Sequence, residues 1–199
     1  MNIEIQRLSP ELIEDYLHFF DITPHSEKPD RNECRCYCVW WCGENQNNEI
    51  FEKYLETKEK RREYARSKII ESKIQGYLAF CDRQVVGWCN ANVKSECYDC
   101  FCWRNFMGEV HREDTADKIK AIFCFAVSPE FRGKGVASKL HERVCQDAKA
   151  DGFTCIEAYP NGNFLNQAED YMGPLDMYRK AGFVESYTIA KKVVMRKKI

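Results

Sequence analysis

Two stretches of the sequence hold side chains whose types and spacing could do chemistry. The first, "CFAVSPEFRGKGVASKL", runs from Cys124 to Leu140. An apolar segment ends at Val127, Ser128-Pro129-Glu130 turns, and Arg132-Gly133-Lys134-Gly135-Val136-Ala137-Ser138 enters a helical pattern. Two glycines let the backbone take a tight path and bare its amides. At the positive end of a helix such amides form an anion pocket suited to a pyrophosphate. Arg132 and Lys134 add charge. Ordinary strand-to-helix loops also carry glycines, so the glycines alone do not decide. The second stretch, "CRCYCVWWC", runs from Cys34 to Cys42. Cys34, Cys36 and Cys38 alternate, so in an extended segment all three thiols face one way. Zinc sites space their ligands as Cys-x₂₋₄-Cys. Cys97-x-x-Cys100 is the pair with that spacing, and joining it to Cys36 or Cys38 requires a contact the sequence does not give. Alternating neighbours are poor disulfide partners. The expectation is reduced, half-buried thiols without metal, ahead of structural zinc and then redox sensing.

The elements that must position these residues follow from periodicity and turn chemistry. Ile3 and Ile5 alternate in a first strand, and Ser9-Pro10-Glu11 starts a helix through Leu12, Ile13, Tyr16, Leu17 and Phe20. Residues 49–72 are charge-dense and read as a solvated helix with Glu49/Lys53 and Glu56/Lys60 pairs. "GYLAFCDRQVVGWCNANV" reads as a hairpin, 76–81 and 85–93. A long connection follows, and then Ile119–Val127, apolar on both faces like a central strand. Val136, Leu140, Val144 and Ala148 recur every four residues in a helix closed by Gly152. "FTCIEAYP" is a strand, Gly173-Pro174 opens a short helix, and "FVESYTI" with "KVVMRK" finishes as a hairpin. This order predicts an α/β chain: a mixed sheet of six to seven strands flanked by helices.

The chain has 199 residues, 44% of them hydrophobic and 31% charged, which fits one domain over 1–199. A net charge of −1 gives no field to recruit nucleic acid or anionic lipid. The lysines around "VVM" near the C-terminus suit an exposed edge strand. There is no basic start followed by an apolar run, and no apolar segment approaches membrane-spanning length. The expectation is a cytoplasmic chain with no membrane or nucleic-acid partner, a monomer or homodimer, whose 12 cysteines stay reduced.

Arg-x-x-Gly-x-Ala (Arg132–Ala137), after a strand ending "AV" and before an amphipathic helix, resembles the acetyl-CoA signature of the GNAT superfamily of N-acetyltransferases. "MYRKAGF" (Met177–Phe183) resembles that superfamily's second landmark, and the element order matches its fold. "CxC" before tryptophan, "GWC" and "EAYP" resemble a sparsely characterised subgroup. The resemblance implies acetyl transfer from acetyl-CoA to a primary amine of a small molecule or peptide, with no metal. It implies a cradle of amides over Gly133–Ala137, and pantetheine paired with Phe125, Ala126 and Val127 in a gap between the central parallel strands. It assigns Tyr178 as the acid that protonates the leaving thiolate. The structural alternative for Tyr178 is packing with Leu175. Two positions depart from the pattern: Tyr171 stands where many relatives have asparagine, and Pro174 replaces an alanine. Residues 119–127 contain no acid, so the base is open between Glu157, His111, Asp117 and a water chain. By the same resemblance Trp40, Trp41, Trp88, Tyr98, Phe101 and Trp103 would wall the acceptor pocket, or else complete the core. The alternative function is a non-catalytic acyl-CoA-binding or sensing protein of the same fold.

Overall fold

The structure, a computed structural model, describes residues 2–23, 35–42, 48–112, 118–165 and 170–199. In chain order the elements are β1 (Glu4–Arg7), α1 (Ile13–Ile22), α2 (Asn48–Ile50), α3 (Lys58–Ile70), β2 (Gly76–Cys81), β3 (Gln84–Val93), α4 (Phe101–Phe106), β4 (Ile119–Val127), α5 (Val136–Ala150), β5 (Cys155–Ala158), α6 (Leu175–Lys180), β6 (Val184–Ile189) and β7 (Lys192–Lys198). The strands form one seven-stranded sheet in the order β1-β2-β3-β4-β5-β7-β6, in which β4 and β5 run parallel. The mixed sheet with helices on its faces is the one the sequence predicts.

Strand alternation sends one set of residues to each face. On one face α5 buries Val136, Leu140, Val144 and Ala148 against Ala79, Val86, Cys89 and Ile122. On the other, α1 and α3 bury Tyr16, Leu17, Phe20, Tyr64 and Ile69 against Leu78, Phe80 and Trp88. The β2–β3 hairpin turns through Asp82 (φ 49°) and Arg83 (φ 67°), two left-handed residues whose twist matches that of the strands.

Two expectations change. The helix over 49–72 is broken: α2 continues into a five-residue π-turn, Phe51–Leu55, and α3 starts afresh where the Thr57 side chain accepts from Lys60 N at 3.2 Å. The lysine-flanked "VVM" is not an edge. β7 pairs with both β5 and β6, and Val193, Val194 and Met195 are buried, so β6 forms that edge of the sheet.

One irregularity shapes the site. Asn90 pairs with Cys124 and Ala91 with Ile122, leaving Phe123 as an extra residue on β4. Such a bulge bends a strand. The β4–β5 ladder ends at the pair Ile122–Ala158, so β4 beyond Ile122 parts from β5.

Candidate active site

Beyond Ile122, where it has parted from β5, β4 borders a cleft of about 580 Å³. One end is the glycine loop. Gly133 (φ 69°) and Gly135 (φ 80°) both adopt left-handed backbone, and an added Cβ at either would stand in open space. Gly133, Gly135, Val136, Ala137 and Ser138 line the cleft, at the end of α5 where amides lack intrahelical acceptors. Arg132 also lines it and donates from Nε to Val127 O at 3.2 Å. Lys134 lies over the Phe131 ring, its Nζ 5.5 Å from the centroid, and is not part of the lining.

Phe125, Ala126 and Val127 form the cleft floor. Ser128 N donates to Val86 O on the β3 side at 3.0 Å, and Phe125 N donates the other way to Tyr171 O at 2.6 Å. By alternation the Val127 amide faces the cleft, where β5 would otherwise pair with it.

The far end is built from side chains. Cys36, Cys38, Trp40, Trp41, Cys102, Cys124 and Tyr171 line it. The segment carrying the first four is not extended: Tyr37 (φ 45°) and Cys38 (φ 52°) are left-handed, and residues 39–41 form a short 3₁₀ turn. The expected one-sided row of thiols is therefore replaced by a compact turn, and Cys34 lies outside the described residues. Distant elements pin the turn. Tyr16 Oη donates to Tyr37 O at 2.7 Å, and Trp88 Nε1 to Cys38 Sγ at 3.2 Å. Buried Arg61 donates from Nε to Arg35 O at 2.7 Å and from Nη1 to Leu55 O at 2.7 Å. In sequence Arg61 looked like one more solvated charge.

Burial pushes the Tyr171 hydroxyl well above its usual range, helped by the surrounding sulfurs of Cys102, Cys124, Cys36 and Cys38. The Cys38 thiol is raised by its contact with Cys124, and Cys102 by burial. These groups are protonated at neutral pH. The eleven described cysteines are free thiols. Among the described residues no group of three or more His, Cys, Asp or Glu side chains could hold a metal ion. Cys97 and Cys100 stand near Cys42. Cys100 also has a local task, accepting from Trp103 N at 3.4 Å where α4 starts.

The remaining candidates sit elsewhere. Tyr178 is fully buried in the α5-side core, and its hydroxyl donates to Met172 O at 2.7 Å; it does not line the cleft. Glu157, also fully buried, is held between Lys94 Nζ at 2.7 Å and Arg196 Nε at 2.6 Å. Burial lowers the Lys94 pKa while Glu157 pulls it back up. His111 stacks on Tyr187 with ring centroids 4.4 Å apart, and Asp117 lies outside the described residues. Of the aromatic residues expected to wall an acceptor pocket, Trp40 and Trp41 line the cleft. Trp88 and Trp103 are fully buried, and Tyr98 and Phe101 pack on Trp103 and Trp40.

The profile of the acetyltransferase (GNAT) family matches residues 43–183. The chain belongs to the GNAT acetyltransferase family. This GNAT chain shares its fold with the PaiA N-acetyltransferase of Thermoplasma acidophilum, solved with coenzyme A, at 18% identity and a TM-score of 0.56 over 100% of both chains. It also resembles a polyamine N-acetyltransferase of Drosophila melanogaster, at 12% identity and a TM-score of 0.57, again over 100% of both chains. A GNAT-family acetyltransferase of Streptococcus pneumoniae aligns at 16% identity and a TM-score of 0.55, over 100% of this chain and 99% of that one. No curated protein matches the chain. No helix among the described residues is long and apolar enough to cross a membrane.

Proposed function

We propose that this protein transfers an acetyl group from acetyl-CoA to a primary amine of a small molecule or peptide. One observation carries the reading: the amide cradle of Gly133–Ser138 and the stretch Phe125–Val127, where β4 has parted from β5, lie along one cleft. The cradle suits a pyrophosphate, and the Val127 amide suits the pantetheine arm. The presence of coenzyme A in the PaiA structure supports this use of the fold. Acetyl-CoA supplies an acyl group activated as a thioester. The chain must orient it, admit a neutral amine and provide a proton for the sulfur that leaves.

The resemblance gives that proton to Tyr178, whose hydroxyl would first have to leave Met172 O. A specific observation favours Tyr171 instead. Its ring already lines the cleft among the four thiols, its carbonyl is tied to Phe125 N, and no described residue accepts from its hydroxyl. For the amine's own proton we propose water in the cleft, because both oxygens of Glu157 are held by cations.

The test combines calorimetric titration of CoA with acetyl-CoA consumption across a panel of primary amines. The expected result is CoA binding and amine-dependent consumption. Binding without consumption for any amine would favour the acyl-CoA sensor. Failure to bind CoA would sink both readings.

A further inference from the structure

The end of the cleft away from the glycine cradle has its own recognition chemistry. The walls there are flat and apolar, made by Phe20, Trp40, Trp41, Phe164 and Tyr171. Asp170 is the one carboxylate among the described lining residues. Its two oxygens already accept from Asn161 Nδ2 and Leu165 N. A polyamine or an aminosugar carries several ammonium groups, and each would need an anionic partner inside the cleft. Among the described residues the lining supplies no such set, and Arg35 adds a positive charge.

Two polar groups at the α1 end are placed for a different ligand. Thr23 is 8% exposed and lines the cleft, and its hydroxyl has no hydrogen-bond partner. A buried hydroxyl left unbonded is costly, so it marks a place where a ligand atom fits. Arg35 Nη1 donates to Thr23 O, which ties the guanidinium to the backbone of the same residue, and both residues line the cleft. Arg61 fixes the Arg35 backbone from behind. The Arg35–Thr23 bond uses one of five guanidinium donors. A guanidinium and an unbonded hydroxyl brought to one stretch of a cleft wall match a carboxylate. The structural alternative is that Arg35 only satisfies the carbonyl of Thr23, the C-terminal cap of α1.

We infer that the acceptor is a primary amine on a flat apolar body that also bears a carboxylate: an aromatic amino acid or a close relative. The inference rests on the acetyl-transfer reading of the same cleft. The carboxylate meets Arg35 and Thr23, the ring lies against the aromatic walls, and the amine is left to meet the thioester. In the transfer the amine nitrogen bonds to the acetyl carbon, the carbon–sulfur bond breaks, and the proton lost by nitrogen is balanced by the one gained by sulfur.

The experiment is calorimetry on the CoA-loaded protein with L-tryptophan, tryptamine and spermidine as probes, in wild type, Arg35→Ala and Thr23→Val. L-tryptophan should bind on the order of 10–100-fold tighter than tryptamine, the range of a charged hydrogen-bonded contact. Spermidine should bind most weakly. Arg35→Ala should erase the tryptophan–tryptamine difference, and Thr23→Val, which keeps the shape, should shrink it, with CoA affinity unchanged in both. The inference is overturned if spermidine or tryptamine binds tighter than L-tryptophan, or if no probe binds. It is equally overturned if Arg35→Ala weakens CoA as much as tryptophan, or leaves the probe ratio as in wild type. Acetylation of bound L-tryptophan is scored separately. Its absence, with binding intact, would count against the transfer reading and not against carboxylate recognition.

Discussion

The two ends of the cleft are made of different material. The cradle end is one run of backbone, Arg132 to Ser138, shaped by two left-handed glycines and the start of α5. The far end is made of side chains drawn from separate places: Thr23 after α1, Cys36 to Trp41 in a turn, Cys102 on α4, Cys124 on β4 and Tyr171 before α6. A backbone cradle binds whatever has a pyrophosphate and is indifferent to most side-chain changes. An assembled wall of side chains can differ from relative to relative, and the proposed function puts specificity there.

This contrast can be broken or sharpened, beginning with the largest effect. Tyr171→Phe should slow single-turnover acetyl transfer by about 10²–10⁴-fold with CoA binding kept, the usual range for a lost general acid. Tyr178→Phe should keep the single-turnover rate and lower stability by about 1 kcal/mol, by leaving Met172 O without its donor. If the two variants exchange these behaviours, the acid is Tyr178 after all.

Glu157→Gln leaves Lys94 and Arg196 without their anion. Urea unfolding should show a loss of about 3–5 kcal/mol, with the transfer rate per folded molecule retained. A slow but fully stable variant would instead make Glu157 the base. Gly135→Glu places a carboxylate in the cradle at φ 80°. Calorimetry should show CoA affinity down by at least about 100-fold, the equivalent of two charged hydrogen bonds. Unchanged affinity would remove the cradle from the site.

The smallest effect concerns pH. His141 Nδ1 lies 2.8 Å from Ser138 O, behind the cradle, and burial lowers its pKa below the ordinary 6.5. The unfolded chain therefore binds the proton more readily. The stabilising contribution is complete above pH 6.5 and is lost as pH falls through the lowered folded value. Melting temperatures between pH 7 and pH 5 should fall less steeply in His141→Gln. An equal slope in both proteins would show that His141 carries none of the pH dependence.

The sequence anticipated the elements whose signals are local. β4 ends at Val127 as the apolar run does, and α5 spans the four-residue period that Gly152 closes. The "VVM" strand was misplaced because flanking lysines describe a strand's ends, while neighbours on both sides decide whether it is an edge. The charged run 49–72 hid Arg61, because burial is a property of what packs on a residue and not of its type.

The chemistry divides along the same line. The glycine cradle was readable because a tight turn, bared amides and a helix start all follow from consecutive residues, and their physics needs no partner from elsewhere. The placement of Tyr171 in the cleft and of Tyr178 in the core is decided by a bulge at Phe123, by the Phe125–Tyr171 backbone bond and by the Tyr178–Met172 bond. Thr23 and Arg35 meet only because α1 and α3 fold onto the same face of the sheet. Contacts between residues far apart in the chain cost loop entropy and form only when the whole core packs, so no window of sequence contains them.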